Sequence, residues 1–375
     1  MKTYQLEPQA PLVFRSGKPF GEGSRDGANF PWPSSLAGLM RTVHWDALNT
    51  SAPPGKEAAK DLLALASAGP LLAKREQGRL TPMFSKPADA LYLLKDEKKD
   101  QEKAVYRLLP GSHEADCDSD LPQGLQPVVA EVNAPKAKPQ DGPEYWTLEQ
   151  LLTWRMGDKV EFAALEQCSY SRETRTHVAI NRSTLAADSG RLFQTEGLDF
   201  APCRKPDGKG YEKFDWVFLA RSTVDVAPQM VAFGGERRLS WLQRTSAQDP
   251  LALPEAHRKA LQTSRKVSLT LATPALFNAG WQPSWAGNEV PGVPGLNLKL
   301  VAAAVERWQG ISGWDLLNQQ AKAARKAVAA GATYWFEIIG EPPADWVERL
   351  WLAPISDEAQ DRHDGFGLVI PGIWK

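Results

Sequence analysis

The chain has 375 residues, 42% of them hydrophobic, which excludes a mainly disordered protein and favours two domains over a single core. Its 44 Lys and Arg face 45 Asp and Glu, so no global positive field announces a nucleic-acid partner and any basic surface is local. Cys117, Cys168 and Cys203 are far apart in sequence and give neither a disulfide framework nor paired metal-ligand spacing, which fits a reducing cytoplasm.

Residues 1–10 lack the basic stretch followed by an apolar run that a signal peptide needs. The apolar runs 216–220 and 301–305 are far shorter than a membrane-spanning helix, so a soluble protein is expected. Residues 4–14 read as a strand weakened by Pro8 and Pro11, and the Gly-rich, charged residues 15–29 as an exposed loop. After Pro31 and Pro33, Ser34 or Ser35 is placed to cap a helix over about 35–49, with Leu36, Leu39, Met40, Val43 and Ala47 at helical spacing. A second helix is expected over about 56–67, ending at Gly69, and strands around Leu71 and over 91–94.

The charged stretch 96–103 lies between apolar runs 91–94 and 105–109, the pattern of a β-hairpin with a solvated tip. Residues 111–142 are rich in Pro, Asp and Lys without periodicity and read as a long insertion loop. Further helices are expected over 146–156, stopped by Gly157, over 254–264 and over 342–350. Strands are expected over 191–200, 214–221, 265–272 and 333–339. Because the elements intersperse without strict alternation, the fold class is α+β with antiparallel sheets.

Three stretches carry chemistry. Residues 171–184 hold Arg172, Arg175 and Arg182 against one Glu, interleaved with hydroxyls, His177 and Asn181. Such groups donate to phosphates, sugars and base edges together, although a solvated basic loop has the same composition. The stretch Phe233, Gly234, Gly235, Glu236, Arg237, Arg238 bends at its glycines and presents two Arg, with Glu236 read as the internal partner of one of them. The C-terminal Gly365, Phe366, Gly367 and Gly372 form a glycine-spaced segment suited either to phosphate binding through backbone N–H groups or to a plain turn. It is not a dinucleotide-binding loop, because the spacing differs and no βαβ unit follows.

Catalytic signatures are missing. The five His, at 44, 113, 177, 257 and 363, are scattered, and no metalloprotease, nucleophile-elbow or Walker motif occurs. His44 and His363 are the positions where an acid or base for RNA cleavage would be sought, and a structural imidazole is the plainer reading of both. No cofactor and no metal are expected.

In this order, several blocks resemble a RAMP-superfamily subunit of type III-B CRISPR complexes, the Cas5-like third subunit in the Cmr naming, which caps the 5′ end of the guide RNA. They are PLVFRSGKPF at 11–20, NFPWPSSLAGLMRT at 29–42, RTHVAINRSTLAADSGRLFQTEGLDF at 175–200, FGGERR at 233–238, TLATPALF at 270–277, GWDL at 313–316, AVAAGATYWF at 327–336 and the terminal glycine-rich loop. The resemblance implies two ferredoxin-like (RRM-like) domains with long loop insertions, and we expect them over 1–230 and 231–375. It implies a cytoplasmic, non-catalytic ribonucleoprotein subunit for antiviral defence, which binds the guide's 5′ tag and docks on the large polymerase-type (cyclase) subunit and the first backbone RAMP subunit. The stacking signature of an RNA-binding RRM is absent, so loop contacts are expected to dominate. On this reading Arg15, Lys18, Arg41, Arg172, Arg175, His177, Asn181, Arg182, Arg237, Arg238 and the 365–372 loop line one RNA groove. Two alternatives remain: a metal-independent endoribonuclease that processes guide precursors, and a purely structural bridge.

Overall fold

The computed structural model describes residues 1–14, 28–48, 54–96, 100–112, 120–166, 168–202, 210–245, 248–315, 318 and 320–375. They form two compact units interleaved along the chain: 1–80, 170–248 and 310–326 make the first, and 81–169, 249–309 and 327–375 the second. The expected single division at 230/231 is therefore replaced by alternating segments. The physical reason is visible in the second unit, where Arg155 pairs with Asp89 and its Nη1 lies 3.5 Å from Ser268 Oγ, tying distant segments into one body.

In the first unit, strands Gln229–Ala232, Leu239–Arg244, Lys2–Pro8, Asp215–Ser222 and Ser67–Glu76 lie side by side in that order, all antiparallel. Leu242, Leu6, Phe218 and Leu72 occupy one cross-strand row and are at most 2% exposed, so a single alternation of apolar residues sets the register. Helix Pro33–Ala47 buries Leu36, Leu39, Met40 and Val43, as the spacing requires. It starts two residues earlier than expected: Trp32 is its N-cap and neither serine caps it, because Pro33 has the fixed φ of a first helical residue and no N–H to satisfy. Helix Lys56–Ala64 follows, and the strand after it begins already at Ser67.

The second unit carries strands Asn297–Ala304, Thr333–Ile339, Lys266–Leu271 and Val369–Ile373 in that order, again antiparallel. Val267, Leu269, Leu298, Tyr334 and Phe336 form one face with Trp346, Val347 and Leu350 of helix Trp346–Leu350 and Leu261 of helix Glu255–Gln262. On the other face, Thr270 and Thr333 exchange a 3.1 Å hydroxyl contact, and Thr333 Oγ1 lies 3.4 Å from Asp89 Oδ1. Helix Leu148–Arg155 begins with a complete capping box, Thr147 and Gln150 satisfying each other's backbone N–H. The hairpin Ala90–Asp96 with Asp100–Pro110 forms as expected, although residues 97–99 of its tip lie outside the described residues. Much of the tryptophan is core: Trp146, Trp154, Trp216, Trp335 and Trp346 are all below 2% or at 2% exposure.

Both sheets share one topology. Counting the four main strands of each in chain order, the spatial order is fourth, first, third, second. No helix among the described residues is long and apolar enough to cross a membrane.

His257 gives the second unit a pH dependence. It is 4% exposed, its Nε2 donates to Pro371 O at 2.7 Å, and its Nδ1 is buried without a partner. Burial holds its pKa below the ordinary 6.5, the bond to Pro371 opposes this, and Arg155 adds to the lowering. The unfolded chain therefore takes up the proton first, so this contribution to stability is complete above pH 6.5 and is lost as pH falls from there toward the folded-state value. Urea unfolding midpoints should fall between about pH 7.5 and about pH 5, and His257→Gln should reduce that fall.

Candidate nucleic-acid interface

Within residues 171–184, for which the sequence leaves a solvated basic loop as an alternative, Ser171–Ile180 is a strand paired with Ala187–Asp199 in a long two-stranded hairpin. Thr174, Thr176, Val178 and Ile180 alternate along it, the β-branched period-2 pattern that favours a strand over a loop.

At the root of this hairpin three distant stretches of the first unit meet. Leu12 and Leu198 exchange backbone hydrogen bonds of 2.8 and 2.7 Å. Gly235 N donates to Val13 O at 2.7 Å, and Phe14 meets Phe233 edge-to-face with centroids 5.0 Å apart. Gly234 has to be glycine here: its φ is 91°, and a Cβ would lie 2.9 Å from Val13 O. Arg172 Nη1 donates to Ala28 O at 2.8 Å and to Glu196 Oε2 at 3.1 Å, while Ala28 N donates to the same carboxylate at 3.1 Å. Phe14 and Ala28, described on either side of 15–27, are thus both held at this root; Arg15 and Lys18 lie outside the described residues.

Along the hairpin, one face presents Arg175, His177, Phe193 and Thr195. The His177 ring stacks on Phe193 at 5.1 Å and 14°, with Nε2 2.8 Å from Thr195 Oγ1. Arg175 pairs with Glu173 at 2.8 Å; that bond raises its pKa above the ordinary guanidinium value, and the field of Glu236 adds to it. Asn181 shapes the turn, its Oδ1 accepting from Ser183 N at 2.9 Å and Thr184 N at 3.3 Å. Arg182 beside it is exposed and has no hydrogen bond or ion pair among the described residues.

The 233–238 turn holds two successive non-glycine residues at positive φ, Glu236 at 58° and Arg237 at 52°, which costs roughly 1–2 kcal/mol for each. Arg238 Nη2 donates to Glu236 Oε2 at 2.7 Å, the internal pairing expected from the sequence. Arg237 is exposed and unpaired among the described residues.

Two expected groups are placed elsewhere. Arg41 is 9% exposed, and its Nη2 donates to Leu63 O and Leu65 O at 3.0 and 3.1 Å, so it clamps the end of the second helix rather than presenting charge to solvent. The glycine-rich terminus belongs to the second unit, and its amides have internal acceptors. Gly365 N donates to Arg362 O, Phe366 N to Asp361 O and Gly367 N to Pro274 O, at 3.1, 2.9 and 2.8 Å. Gly365 ends helix Ala359–Asp364 at φ 91°, Phe366 is 3% exposed, and Gly372 lies in strand Val369–Ile373 opposite Ser268. An anion cradle needs N–H groups aimed outward, and here they close a helix end and a strand instead.

What sequence reasoning missed is the acid set and an aromatic. Glu173 and Glu196 each hold one of the hairpin arginines, and Phe193 carries His177. The period-2 alternation of 172–180 was the signal that would have paired these positions. Among the described residues there is no group of three or more His, Cys, Asp or Glu that could hold a metal ion.

The family model described as CRISPR-associated protein (Cas_Cmr3) matches residues 4–374. The chain is thus a CRISPR-associated protein. It belongs to the Cmr3 family, subunits of type III-B CRISPR effectors. No curated protein matches it. Among solved structures, it is similar to a chain of the type III-B Cmr-beta complex bound to cognate target RNA and AMPPnP, at 15% identity and TM-score 0.49, covering 89% of this chain and 86% of that one. A chain of the same complex bound to cognate target RNA gives 14% identity and TM-score 0.48 over the same shares.

Proposed function

We propose that this subunit is non-catalytic and holds the 5′ tag of the guide RNA with its first unit, while bridging the large polymerase-type subunit to the backbone RAMP subunits in a cytoplasmic hetero-oligomer. The observation that carries the reading is the meeting, at one hairpin root, of the 12–14 segment, the 171–199 hairpin and the 233–238 turn. Packing through Leu12, Phe14 and Phe233 brings the two Arg-bearing stretches, 171–182 and 237–238, onto one local scaffold beside the segment that leads to Arg15 and Lys18, and a phosphate backbone would give those cations a common partner. The common strand order of the two sheets supports reading both units as ferredoxin-like halves.

Among the described residues of these stretches, Arg237 in the 233–238 turn and Arg182 in the far turn of the hairpin have no hydrogen bond or ion pair, and they should contribute most directly to phosphate binding. Replacing both by alanine should weaken binding of single-stranded RNA by roughly tenfold at low salt and reduce the slope of log K against log salt by about 1.4, twice the value per phosphate of a single strand. Filter binding across a salt series measures both. Unchanged affinity and slope would remove these residues from the interface. The carboxylates beside Arg172, Arg175 and Arg238 favour one second reading, a structural bridge whose charges serve folding. Crosslinking of guide RNA in the assembled complex separates the two, since that reading predicts no adduct on this chain.

A further inference from the structure

The 233–238 turn is built to hold a carboxylate, and the reason lies in what surrounds it. Glu236 sits at φ 58° and ψ 20°, outside the range an L-residue prefers, and is followed by Arg237 at φ 52°. The turn is closed by Phe233 N donating to Arg238 O at 2.8 Å and is pinned to Val13 by Gly235 N. Its conformation is therefore imposed from outside, and the side chain it aims is an acid among cations. The Glu236 carboxylate accepts from Arg238 Nη2 at 2.7 Å, and the field at Arg175 on the neighbouring hairpin includes it. Among the described residues Glu236 is the one acceptor of the Arg238 guanidinium, whose Nε is buried without a partner. An ordinary surface ion pair needs no strained backbone.

We propose that Glu236 is an intramolecular stand-in for an RNA phosphodiester, occupying the position against the Arg238 guanidinium that a phosphate takes when RNA binds. The inference rests on the RNA-binding reading of the first unit and adds its regulation. A carboxylate and a phosphodiester both present oxygens with one negative charge to a guanidinium. With the carboxylate in place, the arginines stay ordered and their mutual repulsion is screened in the RNA-free protein. Binding then requires exchange of one anion for another, which lowers affinity for isolated phosphates and favours a strand that engages Arg182 and Arg237 at the same time.

The test uses the full chain and a fluorescent single-stranded oligoribonucleotide of mixed sequence, with three variants compared across a salt series. Glu236→Gln keeps the side-chain shape and removes the charge; it should bind roughly three- to tenfold more tightly at low salt. Glu236→Gly removes the charge and the backbone strain together and should bind at least as tightly as Glu236→Gln while unfolding no earlier than the natural protein. Arg237→Ala should weaken binding. If Arg237→Ala weakens binding but neither Glu236 variant strengthens it, the stand-in role is wrong and the RNA reading stands. If Glu236→Gln weakens binding, Glu236 supports the site only as a structural clamp and the inference is likewise overturned. If the natural protein binds no RNA, or Arg237→Ala changes nothing, the underlying reading fails with it.

Discussion

Replacing Asp89 by alanine should destabilise the second unit by about 3–5 kcal/mol, the cost of leaving a buried guanidinium without its counter-ion. Asp89 and Arg155 have 2% exposed side chains and are paired directly. The surrounding groups offer no adequate substitute: Ser268 Oγ is 3.5 Å from Arg155 Nη1, and the Arg155 Nε has no partner. Water cannot reach the site without opening the sheet face to which Thr270 and Thr333 belong. Arg155→Met should be comparably damaging, because it strands the carboxylate against Thr333. The double variant Asp89→Leu with Arg155→Met should recover much of the loss, since it removes both charges and their desolvation together. Urea denaturation followed by tryptophan fluorescence reads all three, and a single variant as stable as the natural protein would contradict the account.

Gly372→Ala should cost about 3 kcal/mol or more, above the common range for an added methyl group. A Cβ at this position would fall 2.5 Å from Arg155 Cβ, 2.7 Å from Arg155 O and 2.9 Å from Ser268 Oγ. The first two of those atoms are fixed by the helix backbone and cannot rotate away. Gly367→Ala meets a related obstacle, at φ 79° with Ser356 Oγ 2.8 Å and Ser356 N 3.0 Å from the new methyl. Both substitutions should lower the unfolding midpoint while leaving RNA affinity of the folded protein unchanged. The opposite pattern, full stability with weakened RNA binding, would give this segment a part in the proposed RNA interface.

The glycine-rich terminus shows what composition can and cannot tell. Closely spaced glycines announce backbone approaching something closely, and the same pattern serves a phosphate and a neighbouring helix equally well. Gly372 approaches Arg155, a residue 217 positions earlier in the chain, as 372 minus 155 gives. Arg41 is a similar case. Its position on an amphipathic helix with exposed neighbours gave no sign that the carbonyls of Leu63 and Leu65 would take its guanidinium.

Local pattern did fix much of the architecture. The spacing of Leu36, Leu39, Met40 and Val43 defines the first helix and the face it buries. Strands at 215–222, 266–271 and 333–339 follow from short β-branched and aromatic runs, and the class, α+β with antiparallel sheets, follows from their arrangement along the chain. These features depend on residues one to four positions apart, a range over which side-chain periodicity is decided by backbone geometry alone.

What the tertiary structure decided is which distant segments meet. The interleaving of the two units, the burial of Arg155 with Asp89, 66 positions apart, and the pairing of Arg172 with Glu196 on the facing strand all depend on which surfaces meet after folding. The sequence named the basic stretches and the internal pairing of Glu236; the fold determined that Arg172 is matched by Glu196 and that Arg182 and Arg237 are left facing solvent. The difference is one of range: a helix or strand is selected by neighbours along the chain, whereas the free energy of a charge is set by whatever dielectric and counter-ions the folded chain brings to it.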